Sequence, residues 1–165
     1  MRLIHYSKEP LKSVYSIPLA QQSERRSGLH KPRGLWVSVE GENDWKEWYE
    51  GEGWGLEGLA CATEITLAPN ANILRVEGED ALDRFHKEYS VVQYRYGDDL
   101  GVRTAITWPK VAKNFDGIVI APYVYSRRLD EAVSDWYYGW DCASGCIWNA
   151  DATASLNPIQ ISQAA

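Results

Sequence analysis

The sequence predicts an α+β fold: one domain over residues 1–150, followed by a C-terminal tail over 151–165. Three observations lead there. Short apolar runs of strand length recur along the chain. Three other segments repeat apolar residues at helical spacing. The two kinds of segment do not alternate strictly, so a doubly wound parallel sheet is not expected.

"RLIHYS" at 2–7 predicts a short strand that stops before Pro10. Residues 20–33 are polar and punctuated by Gly and Pro, so they read as a loop. "GLWVSVE" at 34–40 predicts a strand. Alternation puts Leu35, Val37 and Val39 on a core face, with Trp36, Ser38 and Glu40 on the other. "NDWKEWYE" then places Trp45, Trp48 and Tyr49 at helical spacing, with Asp44 and Glu47 spaced as a capping box. Gly51, Gly53, Gly55 and Gly58 break any regular element after it.

"ATEITLA" and "NILRV" predict strands on either side of the Pro69-Asn70 turn. "EDALDRFHKEY" aligns Leu82, Phe85 and Tyr89 on a helix, with a Gly97–Gly101 loop beyond it. "TWPKVAKNF" predicts a helix with Thr107 as cap and Pro109 in its first turn. Its apolar face is Trp108, Val111, Ala112 and Phe115. "DGIVIAPY" at 116–123 is continuously apolar, which predicts a strand buried on both faces. "GCIWN" at 145–149 predicts a last short strand, and the residues from Asp151 on read as a small, polar tail. The total is six or seven short strands with three short helices inserted.

Composition narrows the function classes. The chain carries 8 Trp and 10 Tyr against 2 Phe. Trp and Tyr pair an apolar body with a polar handle, which suits a half-open cleft better than a dry core. A net charge of −6 disfavours an extended nucleic-acid surface. Charge is uneven: Arg25, Arg26, Lys31 and Arg33 surround His30, which reads as a solvated face or, more sharply, a short phosphate-binding loop. Cys61, Cys142 and Cys146 are odd in number and irregular in spacing. That argues against a disulfide framework and for a reducing, cytoplasmic compartment. No metal site is expected, because no second Cys/His pair accompanies Cys142 and Cys146. No apolar run reaches membrane length, and the first residues lack a secretory apolar core. No Gly-rich phosphate loop or nucleophile elbow occurs, and His5, His30 and His86 stand outside any Ser-His-Asp pattern.

Three clusters remain. His5-Tyr6-Ser7 ends the first strand, where an imidazole beside a hydroxyl suits a sugar hydroxyl; a lone histidine of this kind is also an ordinary structural residue. Trp36 with Ser38 precedes Trp48 by a dozen residues, so a helix folding back over the strand makes the two indoles walls of a slot, or an aromatic mini-core. "DWYYGWDCASGCIWN" sets Asp141 amid Trp and Tyr, ahead of Ser144. A carboxylate so placed is partly desolvated; alternatively the aromatics brace the sheet edge.

In this order the clusters resemble the ADP-ribosyltransferase family, in its His–Tyr–Glu branch and its small phage and toxin members. His5-Tyr6-Ser7 is similar to the family's opening H-[GYR]-[ST] strand. Gly34-Leu35-Trp36-Val37-Ser38 is similar to its G-[IL]-Y-[FV]-[AS] strand, with Trp for Tyr, and "NFDGIVI" to its "gyDGi" strand. The resemblance implies split antiparallel or mixed β-sheets with short inserted helices. It also implies NAD as substrate and no metal. His5, Tyr6, Ser7, Arg33, Gly34, Trp36, Ser38 and Trp48 become the NAD-binding candidates, with Arg33 or Arg2 toward the diphosphate. At the position of the family's catalytic glutamate this chain has Ser144; the nearest carboxylate is Asp141. Asp141, Ser144 and His5 are therefore the catalytic candidates.

The activity so implied is transfer of ADP-ribose to an acceptor, protein or nucleic-acid base, or to water, by a phage or toxin factor acting on host components in the host cytoplasm. A non-enzymatic alternative is a phage-type inhibitor that binds a host protein or a nucleotide through a Trp-lined groove. A carbohydrate-binding module fits the Trp content, but not the cysteine pattern or the separation of the aromatics into distinct motifs.

Overall fold

The computed structural model describes residues 1–23, 31–41, 43–53, 55–95, 102–130 and 133–160. It is a mixed α+β fold built on one seven-stranded sheet and a separate two-stranded sheet. The strands are β1 (Leu3–Ser7), β2 (Leu35–Val39), β3 (Cys61–Leu67), β4 (Ile73–Val76), β5 (Ser90–Arg95), β6 (Val102–Ile106), β7 (Gly117–Ile120), β8 (Ser144–Ile147) and β9 (Thr153–Ile159). The α-helices are α1 (Trp45–Glu52), α2 (Glu79–Tyr89), α3 (Trp108–Asn114) and α4 (Ser134–Tyr137).

The large sheet runs β4-β7-β8-β2-β1-β3-β9. Every pairing is antiparallel except β4 with β7. The interior strands β7 and β8 are buried along their whole length, as the unbroken apolar run at 116–123 predicts for β7. Strand β2 is where expected, and Val37 and Val39 are core. Its other face is also covered: Ser38 is only 1% exposed. The β1–β2 ladder pairs only Leu3 with Val39 and Ile4 with Ser38. Beyond it, His5 Nδ1–H donates to the Trp36 carbonyl at 2.8 Å and so continues the join.

The three predicted helices form, α1 and α2 for the predicted reasons. In α1 the Asp44 carboxylate accepts from Glu47 N–H at 2.9 Å, Glu47 reaches back to Asn43 N–H at 2.6 Å, and Gly53 closes the helix in the left-handed region. Helix α2 buries Leu82, Phe85 and Tyr89, and α3 buries Trp108 and Val111. Thr107 precedes α3 as expected, but its side chain makes no capping bond.

Three expectations are corrected, and one pairing that the sequence left open is settled. The segment after Asp151 is no tail: β9 pairs with β3 from Ala62↔Ile159 to Leu67↔Thr153. A polar sequence suffices there because the strand lies at a sheet edge with one side open. The domain therefore extends past residue 150; residues 161–165, with the end of the expected tail, lie outside the described residues. Strands β5 and β6 flank the Gly97–Gly101 loop, which also lies outside them, and the apolar pattern predicts neither strand. The strands on either side of the Pro69-Asn70 turn do not pair with each other: β3 pairs with β1 and β9, β4 with β7. The aromatic run at 136–140 braces no sheet edge; Trp136, Tyr137 and Trp140 are core.

An aromatic chain fills the space between sheet and helices. Phe85 meets Trp136 edge-on at 5.4 Å, Trp136 meets Trp140 at 6.5 Å, and Trp140 meets Trp36 at 4.9 Å. Arg127 grips Asp83 through two bonds of 2.9 and 2.8 Å, tying the turn after β7 to α2. No helix among the described residues is long and apolar enough to cross a membrane.

Two contacts in this core make stability testable. A Cβ added to Gly34 would sit 2.4 Å from the Ile147 carbonyl oxygen and 2.8 Å from Cys146 Sγ, where backbone meets backbone. Gly34→Ala is expected to destabilise by about 1–3 kcal/mol in denaturant unfolding. Separately, the buried Trp136 indole N–H donates to His86 Nδ1 at 3.0 Å, which requires a neutral imidazole. Burial holds His86 below its ordinary value, against the pull of Asp83, Asp130 and Asp135. The unfolded chain therefore binds this proton more tightly, and stability from the group is present above about pH 6.5 and lost as pH falls below it. Between pH 7.5 and pH 5.5 the melting temperature is expected to fall further in wild type than in His86→Gln.

Candidate functional site

One cavity of about 340 Å³ brings together residues from four parts of the chain. Strand β2 contributes Trp36, and α1 contributes Trp45, Trp48 and Tyr49. The turn before β8 contributes Trp140, Asp141 and Cys142, and Ser144 opens β8 itself. Lys31, leading into β2, completes the lining. Trp36 and Trp48 thus share one cavity, as the fold-back of a helix over a strand requires.

Local bonds set each wall. Ser38 Oγ accepts from the Trp45 backbone N–H at 3.0 Å, which pins the start of α1 to the sheet. Trp45 stacks on Tyr49 at 6.1 Å, and Trp48 meets Tyr49 edge-on at 5.2 Å. Elsewhere in the lining Trp36 meets Trp140 edge-on at 4.9 Å. Behind Trp45 lie His5 at 6.5 Å and Tyr6 at 6.4 Å, both edge-on.

Asp141 has an unusual backbone. Its φ is 61° and ψ −34°, and Cys142 N–H donates back to the Trp140 carbonyl at 2.6 Å. This is a γ-turn of the rare positive-φ kind, which side chains resist. Such strain marks functional positions when the surroundings enforce it. The enforcers here are the buried Trp140 before the turn and the bond from Ala143 N–H to the Asn43 carbonyl after it, at 2.7 Å.

Charge in the cavity is poised between burial and attraction. Burial raises the Asp141 carboxyl above the usual carboxylate range, while Lys31 and Arg128 pull it down. Arg128 Nη2 lies 3.4 Å from Asp141 Oδ1. Burial likewise lowers Lys31, and Asp141 counters it. Both groups move toward neutrality, so desolvation outweighs their mutual attraction. The Lys31 ammonium lies 5.0 Å from the Trp36 ring centroid, over its face. Burial pushes the Cys142 thiol up to about 12, away from the thiolate form. No group of three or more metal-ligating side chains occurs among the described residues.

Of the residues predicted from sequence, Trp36, Trp48, Asp141 and Ser144 line the cavity. The others do not. His5 is engaged with the Trp36 carbonyl, and Ser7 Oγ donates to the Glu9 carbonyl at 2.6 Å. Tyr6 backs Trp45. Arg33 is clasped through its backbone by Gln22, at 3.0 and 2.7 Å. Gly34 serves close strand approach, and Ser38 anchors α1. Arg2 pairs with Glu40 and Glu64 at 2.7 and 3.0 Å. Of the basic run, Arg25, Arg26 and His30 lie outside the described residues. Sequence reasoning missed Lys31, Trp45, Tyr49, Trp140 and Cys142 as lining. Trp45 and Tyr49 were legible from the helical stripe they share with Trp48; Lys31 carried only its place in a basic run.

The chain matches no protein-family model, no curated protein and no solved structure. The cavity must therefore be read from its own chemistry.

The γ-turn yields a paired test. Asp141→Gly and Asp141→Ala remove the same carboxylate, but only Ala keeps a Cβ at positive φ. The Gly variant is expected to be more stable than the Ala variant by about 1–2 kcal/mol in chemical denaturation.

Proposed function

We propose that the cavity binds the nicotinamide–ribose end of NAD, and that the protein cleaves the bond between them as an ADP-ribosyltransferase or NAD glycohydrolase. The observation that supports this is the meeting of Trp36, Trp48 and Asp141 on one cavity of about 340 Å³. That volume suits a planar ring with an attached sugar. Indole faces attract a pyridinium ring, an interaction worth about 1–2 kcal/mol when desolvated. Such stacking holds the ground state. It cannot accelerate cleavage, because the departing nicotinamide becomes neutral.

Acceleration falls to Asp141. The C1′–N bond breaks with its electron pair going to nicotinamide, and positive charge passes to the ribose as an oxocarbenium ion. A fixed carboxylate beside that carbon stabilises the developing charge, as in glycoside cleavage. Lys31 and Arg128 help keep Asp141 ionised despite burial. An acceptor then bonds to C1′ and releases a proton. Ser144 is a less natural participant, since its hydroxyl donates to the Cys142 carbonyl at 3.0 Å. The free cysteines suit a cytoplasmic setting.

A second reading is a non-catalytic inhibitor of phage type that binds a host protein. Tyr125 and Leu129 are 72% and 77% exposed. They flank Arg127 and Arg128, and Arg128 reaches both Tyr138, at 5.1 Å, and Asp141. Exposed aromatic and aliphatic side chains beside half-buried Arg side chains serve as interface anchors.

Nicotinamide release from NAD separates the two. Asp141→Asn is expected to lower kcat by about 100-fold or more. Trp36→Ala is expected to raise KM chiefly. In wild type the rate is expected to fall on acidification at a pH above the ordinary carboxylate range, because the carboxylate must be ionised. No nicotinamide release by wild type, with a protein partner co-purifying, would support the second reading; full activity in Asp141→Asn would remove Asp141 from catalysis.

A further inference from the structure

We infer that Lys31 is a specificity-determining residue that takes an anionic oxygen of the ligand, so that the ring entering the cavity is one joined to a phosphate: a nucleotide in preference to its nucleoside. The inference rests on the ring-binding reading above and names the ligand class of the same site.

Two donors without acceptors belong to side chains that line one aromatic cavity. Among the described residues, Lys31 Nζ makes no hydrogen bond or ion pair; its close partner is the Trp36 ring face at 5.0 Å. Asp141 attracts it, but the ion pair the carboxylate makes is with Arg128, at 3.4 Å. The second donor is Trp140 Nε1, in a side chain only 2% exposed, which also has no partner among the described residues. Buried donors without acceptors are costly, and an ammonium most of all. The acceptors that line the cavity do not discharge that cost: Asp141, Cys142 and Ser144 make no hydrogen bond with Lys31 Nζ or Trp140 Nε1. A ligand that brings acidic oxygens does. Phosphate fits an ammonium as a compact charge, and the indoles fit the base. A neutral nucleoside satisfies the walls and leaves Lys31 as it is.

The test measures affinity of the full chain for four probes: nicotinamide mononucleotide, nicotinamide riboside, AMP and adenosine. Wild type is expected to bind at least one monophosphate about tenfold to a hundredfold more tightly than its nucleoside, the effect of one charge-assisted bond. Lys31→Met is expected to erase that ratio by weakening the monophosphate more than the nucleoside, and its melting temperature reports whether it is folded. Lys31→Arg keeps the charge and is expected to retain the preference. Equal wild-type affinity for monophosphate and nucleoside overturns the inference and leaves the NAD reading standing. Preference for AMP over adenosine, with neither nicotinamide ligand bound, sustains the inference and ends the NAD reading. A phosphate preference unchanged in Lys31→Met overturns the assignment to Lys31. Binding of none of the four overturns both.

Discussion

Trp140 joins the core to the cavity, and most of what is distinctive in this fold depends on that packing. On one side its indole contacts Trp136 and Trp108, which rest on the helices. On the other it meets Trp36 on the central sheet. Close-packed aromatic contacts of this kind leave little room for movement. Because Trp140 cannot shift, the chain after it must turn sharply to enter β8. That turn is what holds Asp141 at positive φ and presents its carboxylate beside the indoles.

The electrostatics arise from the same packing. A wall of indole and phenol rings removes water from Lys31 and Asp141 without supplying many dipoles in return. Each group is then driven toward its neutral form, and only the nearby opposite charges oppose this. The site is therefore sensitive to any ligand that adds charge. A developing cation strengthens the carboxylate's position; an arriving anion relieves the ammonium. Both effects are larger in this aromatic enclosure than at an open surface, because field lines pass through a medium of low dielectric constant.

Much of the fold was legible. Helix α2 could be read from Leu82, Phe85 and Tyr89, and α1 from Asp44, Glu47 and Gly53, because caps and helical stripes are local properties. Strand β7 was visible in its unbroken apolar run. Strand β9 escaped notice because an edge strand needs few apolar residues, and its pairing with β3 is a long-range choice. The pairing of β4 with β7 is of the same kind. Ser38 looked like a ligand-facing hydroxyl because alternation put it beside Trp36; its partner, the Trp45 amide, comes from another element. The partner of His5, the Trp36 carbonyl, likewise belongs to another element.

Sequence alone determined which side chains were available: an excess of indoles, a carboxylate among aromatics, and helices and strands whose signals lie within a few residues of one another. Tertiary structure decided which indoles meet, which polar groups are consumed in holding strands and helices together, and which remain for a ligand. The physical reason is that periodicity and capping are set by neighbours along the chain. A cavity, a desolvated charge pair and a strained turn arise only when segments more than a hundred residues apart, such as Lys31 and Trp140, pack against each other.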